Sequence, residues 1–371
     1  MKVENKNLNI PNINVNTLVD KLTRLYSNVI KSGAPLWDIE QTPFLWGPAG
    51  IGKSQAIFQF AKKLQSETGK RVVVTDVRIL LFSPLDLRGI PVADVEKQLA
   101  IWLKPKIFDM DPGEECVNIL FLDELSTAPH TVQQAAYQIC LDRQVGEHKL
   151  PENCIVIAAG NRTTDQGVSY KMSKPLCNRF MHFNVETNYM VWVKWAIAHE
   201  MDSRIVGYLA FDNSKLNIEP DTSEKAFPTP RSWSFVNNIL KYSDGNLKED
   251  MDFIGGCIGM DTAHEFATWV RTNADLPKIS EIFAGYCSKY PSSYDALSAL
   301  TASLVYAIRG NRDSITANEL ENVCAYVSRF PSDYQMLFYT DLKNIKEIAS
   351  VLTQCPSRQI WMNKNKKFFL R

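Results

Sequence analysis

An α/β fold built on a parallel sheet and followed by all-helical regions is what this 371-residue sequence predicts, and three observations predict it. Gly47-Pro-Ala-Gly-Ile-Gly-Lys53-Ser54 has the spacing of a phosphate-binding loop, and it sits between a short apolar run, Thr42 to Trp46, and a helical pattern. Cys116 to Asp123 and Cys154 to Ala159 are continuous apolar runs, the pattern of strands buried on both faces. Beyond about Val185 the apolar residues recur at helical spacing.

Composition narrows the function classes. A chain of this length with 45% hydrophobic residues can build two or three domains with cores of their own. Its 41 basic and 41 acidic side chains cancel, which disfavours a large electrostatic footprint for nucleic acid. The sequence shows neither a signal-peptide pattern nor a long uninterrupted apolar segment, so the expectation is a soluble, cytoplasmic protein without membrane insertion. Eight scattered cysteines form no Cys-x-x-Cys pair, and five histidines show no metal-ligand spacing. The cysteines read as reduced, mostly buried small hydrophobes.

In chain order, residues 1–13 are rich in Asn and Lys and read as a flexible start. From Asn16, the set Leu18, Val19, Leu22, Leu25, Tyr26, Val29 and Ile30 predicts an amphipathic helix, stopped by Gly33 and Pro35. Thr42 to Trp46 is a strand, and the loop follows. Gly47, Gly50 and Gly52, with Pro48, Ala49 and Ile51 between them, let backbone N–H groups converge on phosphate oxygens, while the helix N-terminus adds its partial positive charge. Lys53 then reaches the terminal phosphates and Ser54 ligates magnesium. An accidental glycine-rich turn is the plain alternative, and the flanking strand and helix weigh against it. Ala56, Ile57, Phe60, Ala61 and Leu64 carry the helix on to Gly69.

Arg71 to Leu81, rich in β-branched residues, predicts a second strand. Prolines and a glycine then punctuate residues 84–112, where a plain crossover has one uninterrupted helix; a long surface loop is the simplest reading. The run Cys116 to Asp123 ends in Asp123-Glu124. Downstream of a phosphate loop, Asp123 suits holding magnesium through water and Glu124 suits polarising an attacking water, with a solvated strand cap as the alternative. Thr131 to Leu141 is a helix and Asp142 to Gly146 a turn. The strand Cys154 to Ala159 leads to Gly160-Asn161-Arg162, where Asn161 either hydrogen-bonds a γ-phosphate or the attacking water, or simply forms the turn. Lys174 to Phe183 ends a short helix at Arg179-Phe180 and enters a last strand, Met181 to Val185. Up to that point nothing within one subunit supplies a cation for transition-state charge, a task that suits the fixed fork of arginine.

The remainder reads as helices at Asn188 to Glu200 and Ser203 to Phe211, at a segment opened by Arg231 after a proline-bearing loop from Thr222, and around Thr262 to Arg271, Ile279 to Ala284, Tyr294 to Ile308 and Ile315 to Val327. Its aromatic stripes read as helix packing. The basic tail, Lys364 to Arg371, reads as a solvated end.

Taken in order, Gly47 to Ser54, Asp123-Glu124, Asn161 in AAGNR, Arg179 in NRF and Arg231 in FPTPRSW resemble the AAA+ ATPases, and within them the MoxR-like branch. The resemblance covers roughly residues 15–275 by motif. It implies an AAA+ α/β nucleotide-binding core over 1–186, a helical lid over 187–275 and a C-terminal helical extension over 276–371. It implies ATP and Mg2+ as cofactors. By it Asn161 matches sensor 1, Arg179 the arginine finger that reaches the neighbouring subunit's site, and Arg231 sensor 2, which touches the nucleotide of its own subunit; with Glu124 these form the catalytic set. Residues 84–112 look like the insertion in helix 2 that marks the branch, and Leu141-Asp-Arg143 is similar to a second trans-acting arginine position. The implied function is a ring-forming ATPase, expected as a hexamer, that remodels a protein client, in some members beside a partner bearing a von Willebrand factor A domain. Two other readings stay open: a nucleic-acid motor of restriction type, and a non-hydrolysing nucleotide-dependent scaffold.

Overall fold

The computed structural model describes residues 9–162, 165, 172, 174–220, 223–272, 277–291, 294–312, 314–343 and 345–365. The expected flexible start at 1–8, the basic tail at 366–371 and the first residue of the loop from Thr222 lie outside the described residues. The chain divides into two compact units, Met1–Thr187 and Asn188–Arg371.

The first unit runs β1 (Asn12–Ile13), α1 (Val15–Ser32), β2 (Thr42–Trp46), α2 (Lys53–Thr68), β3 (Arg71–Arg78), α3 (Pro84–Arg88), β4 (Ile90–Asp94), β5 (Leu99–Leu103), β6 (Cys116–Asp123), α4 (His130–Asp142), β7 (Gln144–Val145), β8 (His148–Lys149), β9 (Cys154–Gly160), α5 (Lys174–Cys177) and β10 (Phe180–Val185). Six strands form a parallel sheet in the order β1-β10-β2-β9-β6-β3. Strand parity decides where each side chain goes, because successive residues face opposite sides. Phe44, Leu120, Leu122, Val156 and Ala158 pack into one core with α4, while Leu45, Ile119, Phe121, Ile155 and Ile157 pack into a second with α1 and α2. The central strands are buried on both faces, as their unbroken apolar runs require.

Local signals set the ends of the first helices. Asn14 Oδ1 caps α1 by accepting from the Thr17 N–H (3.0 Å), and Gly33 closes it in the left-handed region. The strand from Arg71 stops at Arg78 rather than Leu81, because Ile79 turns into the α4-side core and Ile79–Leu81 form a 3-10 turn. Nor is the stretch from Pro84 one long loop: α3 starts on a Ser83/Asp86 capping box, and β4 and β5 form an antiparallel hairpin with Ile90 opposite Leu103. Gly89 is obligatory at that junction, since its φ is +95° and a Cβ there would lie 2.1 Å from the Leu103 carbonyl oxygen. Asn12 and Ile13, expected in the flexible start, instead pair with Asn184 and Val185 at the sheet edge.

The second unit is helical among its described residues. α6 (Tyr189–Ala198), α7 (Ser203–Phe211), α8 (Pro230–Tyr242), α9 (Met251–Ile258) and α10 (Met260–Thr272) enclose Trp192, Val206, Trp233 and Phe266. α11 (Ile279–Phe283), α12 (Tyr294–Gly310), α13 (Ala317–Val327), α14 (Ser332–Lys343), α15 (Ala349–Gln354) and α16 (Pro356–Lys364) enclose Leu304, Val323, Phe338 and Trp361. The aromatic stripes are thus core. Sequence reading passed over α9, whose adjacent Gly255 and Gly256 look like a breaker, and also α14 to α16. Tight packing explains Gly255, where a Cβ would meet Met260 Sδ at 2.1 Å. Among the described residues no helix is long and apolar enough to cross a membrane.

Candidate nucleotide site

The phosphate loop links β2 to α2 at the C-terminal edge of the sheet. Gly47, Gly50 and Gly52 have φ of 149°, 84° and 99°, a path that glycine takes without the strain a side chain would add. Gly47 has no space either, as a Cβ would lie 2.6 Å from Ile51 Cδ1 and 2.8 Å from the Val185 carbonyl oxygen. Helix α2 starts on Gly52 with no side-chain cap, whereas α1 and α8 carry capping side chains. Its first N–H groups are therefore left for a ligand, in the positive field of the helix end. Lys53 is only 8% exposed. Its Nζ donates to the carbonyls of Gly47 and Pro48, at 2.9 Å to the latter, and to Asn161 Oδ1 at 3.3 Å.

The sheet order gathers the other parts. β9 lies between β2 and β6, so Asn161 stands between the loop and the acidic residues. Ser54 Oγ donates to Asp123 Oδ2 at 2.8 Å, joining the start of α2 to the end of β6. Asp123 Oδ1 accepts from the Glu124 N–H (2.8 Å), and Glu124 itself takes φ +59°. Such a conformation costs a non-glycine residue roughly 1 kcal/mol or more, and it persists where neighbours over-determine it. Here the Glu124 carbonyl accepts from the Thr127 N–H (3.1 Å) and Thr127 Oγ1 (2.8 Å), and the Leu125 N–H donates to the Ala159 carbonyl (2.9 Å).

Two contributors escaped sequence reading. Ser126 Oγ accepts from the Asn161 N–H (2.9 Å) and donates to the Asn161 carbonyl (3.0 Å), clamping that backbone from both sides. Gly160 makes room for the clamp, since a Cβ there would lie 2.5 Å from Ser126 Oγ. Asp76 is the second. It shares the face of β3 and β6 that carries Asp123, and partial desolvation, then repulsion from Asp123, raises its carboxyl above the ordinary range, against a pull from Arg78 and with a further push from Glu124. A strand pairing carries the only signal for either residue.

The arginines differ. Arg179 lies exposed in the turn between α5 and β10 and makes no hydrogen bond or ion pair among the described residues. Arg231 is exposed in the first turn of α8, in the second unit, within the Thr229–Ser232 capping box. Arg143 faces inward: only 7% exposed, it donates to Thr42 Oγ1 (2.7 Å) and to the carbonyls of Ile39 (3.3 Å) and Glu40 (3.4 Å). The match to a second trans-acting arginine is corrected on that ground, because the side chain is buried and three of its five donors are already engaged inside the unit. Burial pushes the thiols of Cys140 and Cys154 up to about 12, so neither is a nucleophile.

Whether magnesium suits these residues is answered by the donor set. A hydroxyl and a carboxylate already within hydrogen-bond distance, with Asp76 close enough to be perturbed by Asp123, are hard oxygen ligands in an acid-rich spot. They fit the ion.

No protein-family model matches the chain. No curated protein sequence matches it either. Among solved structures it is similar to the Aeropyrum pernix ORC2 protein, solved in ADPNP–ADP complexes, at 12% identity and a TM-score of 0.41 over 92% of this chain and 88% of that one. It is also similar to a Thermotoga maritima RuvB variant, at 17% identity and 0.34 over 81% and 84%, and to C. elegans PCH-2, at 13% and 0.35 over 69% of each chain. None of these three scores reaches 0.5, so the weight falls on the sheet order and the loop geometry. On those the molecule is an α/β core in which a glycine-rich phosphate-loop geometry joins β2 to α2 of a six-stranded parallel sheet, followed by a helical C-terminal region.

Proposed function

We propose that this protein binds ATP with Mg2+ at Gly47 to Ser54 and hydrolyses it in a ring of identical subunits, using the cycle to remodel a protein client in the manner of MoxR-like AAA+ ATPases. One observation carries the reading: Ser54 bonded to Asp123, and Lys53 bonded to Asn161, bring the ends of β2, β6 and β9 together over the uncapped N-terminus of α2.

The residues divide the work. Backbone N–H groups of the loop and Lys53 bind the β- and γ-phosphates; Lys53 exchanges its loop carbonyls for phosphate oxygens. Ser54 and Asp123 hold magnesium, which supplies charge neutralisation on the phosphate oxygens. Glu124, aimed by its left-handed backbone, takes a proton from the attacking water, while Asn161 orients that water or the γ-phosphate. Arg179, exposed and uncommitted among the described residues, stabilises transition-state charge in the neighbour's site. The β4–β5 hairpin, with Ile90, Val92, Leu99, Ile101 and Leu103 exposed on one face, is the surface offered to a client.

Nucleotide binding and turnover measured on two variants test this. Lys53→Ala is expected to lose ATP binding, and Glu124→Gln to keep ATP bound while turnover stops. Full hydrolysis by Glu124→Gln would remove the carboxylate from the mechanism.

A further inference from the structure

His182, on β10, has a partner for each ring nitrogen. The Trp46 indole N–H donates to Nδ1 (2.9 Å), and Nε2 lies 2.7 Å from the Cys177 carbonyl oxygen. An indole N–H can only donate and a carbonyl can only accept, so the partners fix the tautomer: the proton sits on Nε2, and Nδ1 accepts.

Both partners matter by position. Trp46 is the last residue of β2 and is followed directly by Gly47, the first residue of the phosphate loop. Its ring is held in place by stacking on Phe44, with centroids 4.3 Å apart. Cys177 is the last residue of α5, a four-residue helix whose terminal carbonyls have no partner inside the helix. By donating to one of them, His182 closes the turn from Cys177 to its own position. Arg179 is in the middle of that turn.

We propose that His182 is a positioning residue: it ties the turn carrying Arg179 to the strand that opens the phosphate loop, so that a subunit's own nucleotide site and the arginine it offers its neighbour shift together. This rests on Arg179 acting in trans. It acts through the two segments it joins.

Mixed assemblies test it. His182→Phe keeps an aromatic ring but loses both hydrogen bonds, and about one or two neutral bonds correspond to roughly a fivefold to fiftyfold loss of turnover. Binding of a fluorescent ATP analogue is expected to stay within about twofold, because no loop contact is removed. His182→Gln, which can still donate to the Cys177 carbonyl, is expected to restore part of the turnover. The decisive readout is turnover per His182→Phe subunit as Glu124→Gln subunits are added, with co-assembly shown by tagged co-purification. The expected result is a rise, because the added subunits bring a well-placed Arg179 to sites whose Glu124 is intact. Arg179→Ala mixed with Glu124→Gln is the control. Recovery in the control without recovery for His182→Phe overturns the positioning role alone. No recovery in either removes the trans arginine and this inference with it. Should His182→Phe fail to fold, as seen in its thermal unfolding, Trp46→Phe breaks only the indole bond and is read in the same mixture.

Discussion

Two turns of the first unit each carry an arginine, and their surroundings are opposite. Arg143, after α4, is buried and gives its donors to Thr42 Oγ1 and the carbonyls of Ile39 and Glu40; Arg179, after α5, is exposed and gives none within the described residues. Arg143 also closes α4 with φ +53°, so its backbone as well as its guanidinium is part of the packing. A short motif brought both into consideration as trans-acting groups. The environment separates them: a guanidinium already bonded inside the fold to the buried Thr42 Oγ1 and to two backbone carbonyls cannot leave to meet a phosphate without breaking those bonds, whereas an exposed one loses only water.

The comparison breaks most sharply on turnover. Arg179→Ala is expected to lower ATP turnover by about a thousandfold or more, the usual worth of an arginine finger. Its unfolding free energy should stay within about 0.5 kcal/mol of the parent, as for most exposed substitutions. A large stability loss with intact turnover would exchange the roles of the two turns. Arg143→Ala should do the reverse, destabilising the first unit by about 3 kcal/mol because three acceptors lose a buried cation. Denaturant unfolding checks it, together with turnover of the fraction still folded, which is expected near the parent value.

Smaller effects sharpen the picture inside the site. Gly160→Ala forces a Cβ against Ser126 and should cost about 2 kcal/mol while loosening Asn161, so stability and turnover fall together. Asp76→Asn should have the smallest effect. With the Asp76 carboxyl titrating above its ordinary range, the fold disfavours the charged form, so the penalty is absent at low pH and grows as pH rises through that raised value. The variant is therefore expected to be slightly more stable than the parent at neutral pH without divalent cation, and the gap should shrink when magnesium is added.

What the sequence made legible is what is contiguous in it. The phosphate loop, the buried run ending in Asp123-Glu124 and the helix stop at Gly69 each fit within a few residues, and the expected parallel sheet followed. Ser126 clamping Asn161, Gly160 making room for it, and Trp46 bonding His182 across 136 positions depend on which strands lie side by side, and periodicity carries no such register. The inward turn of Arg143 was hidden for the same reason, since Thr42 lies 101 positions away. The hairpin after Gly89 was masked by prolines that sequence reading takes for loop punctuation.

The central claim is that each site needs a second subunit. Specific ATP turnover measured across protein concentration, with the assembly mass recorded at each point, tests it most directly. Turnover per subunit should rise with concentration in step with the assembled fraction and approach zero where the protein is monomeric. A constant turnover per subunit from a demonstrably monomeric protein would contradict it.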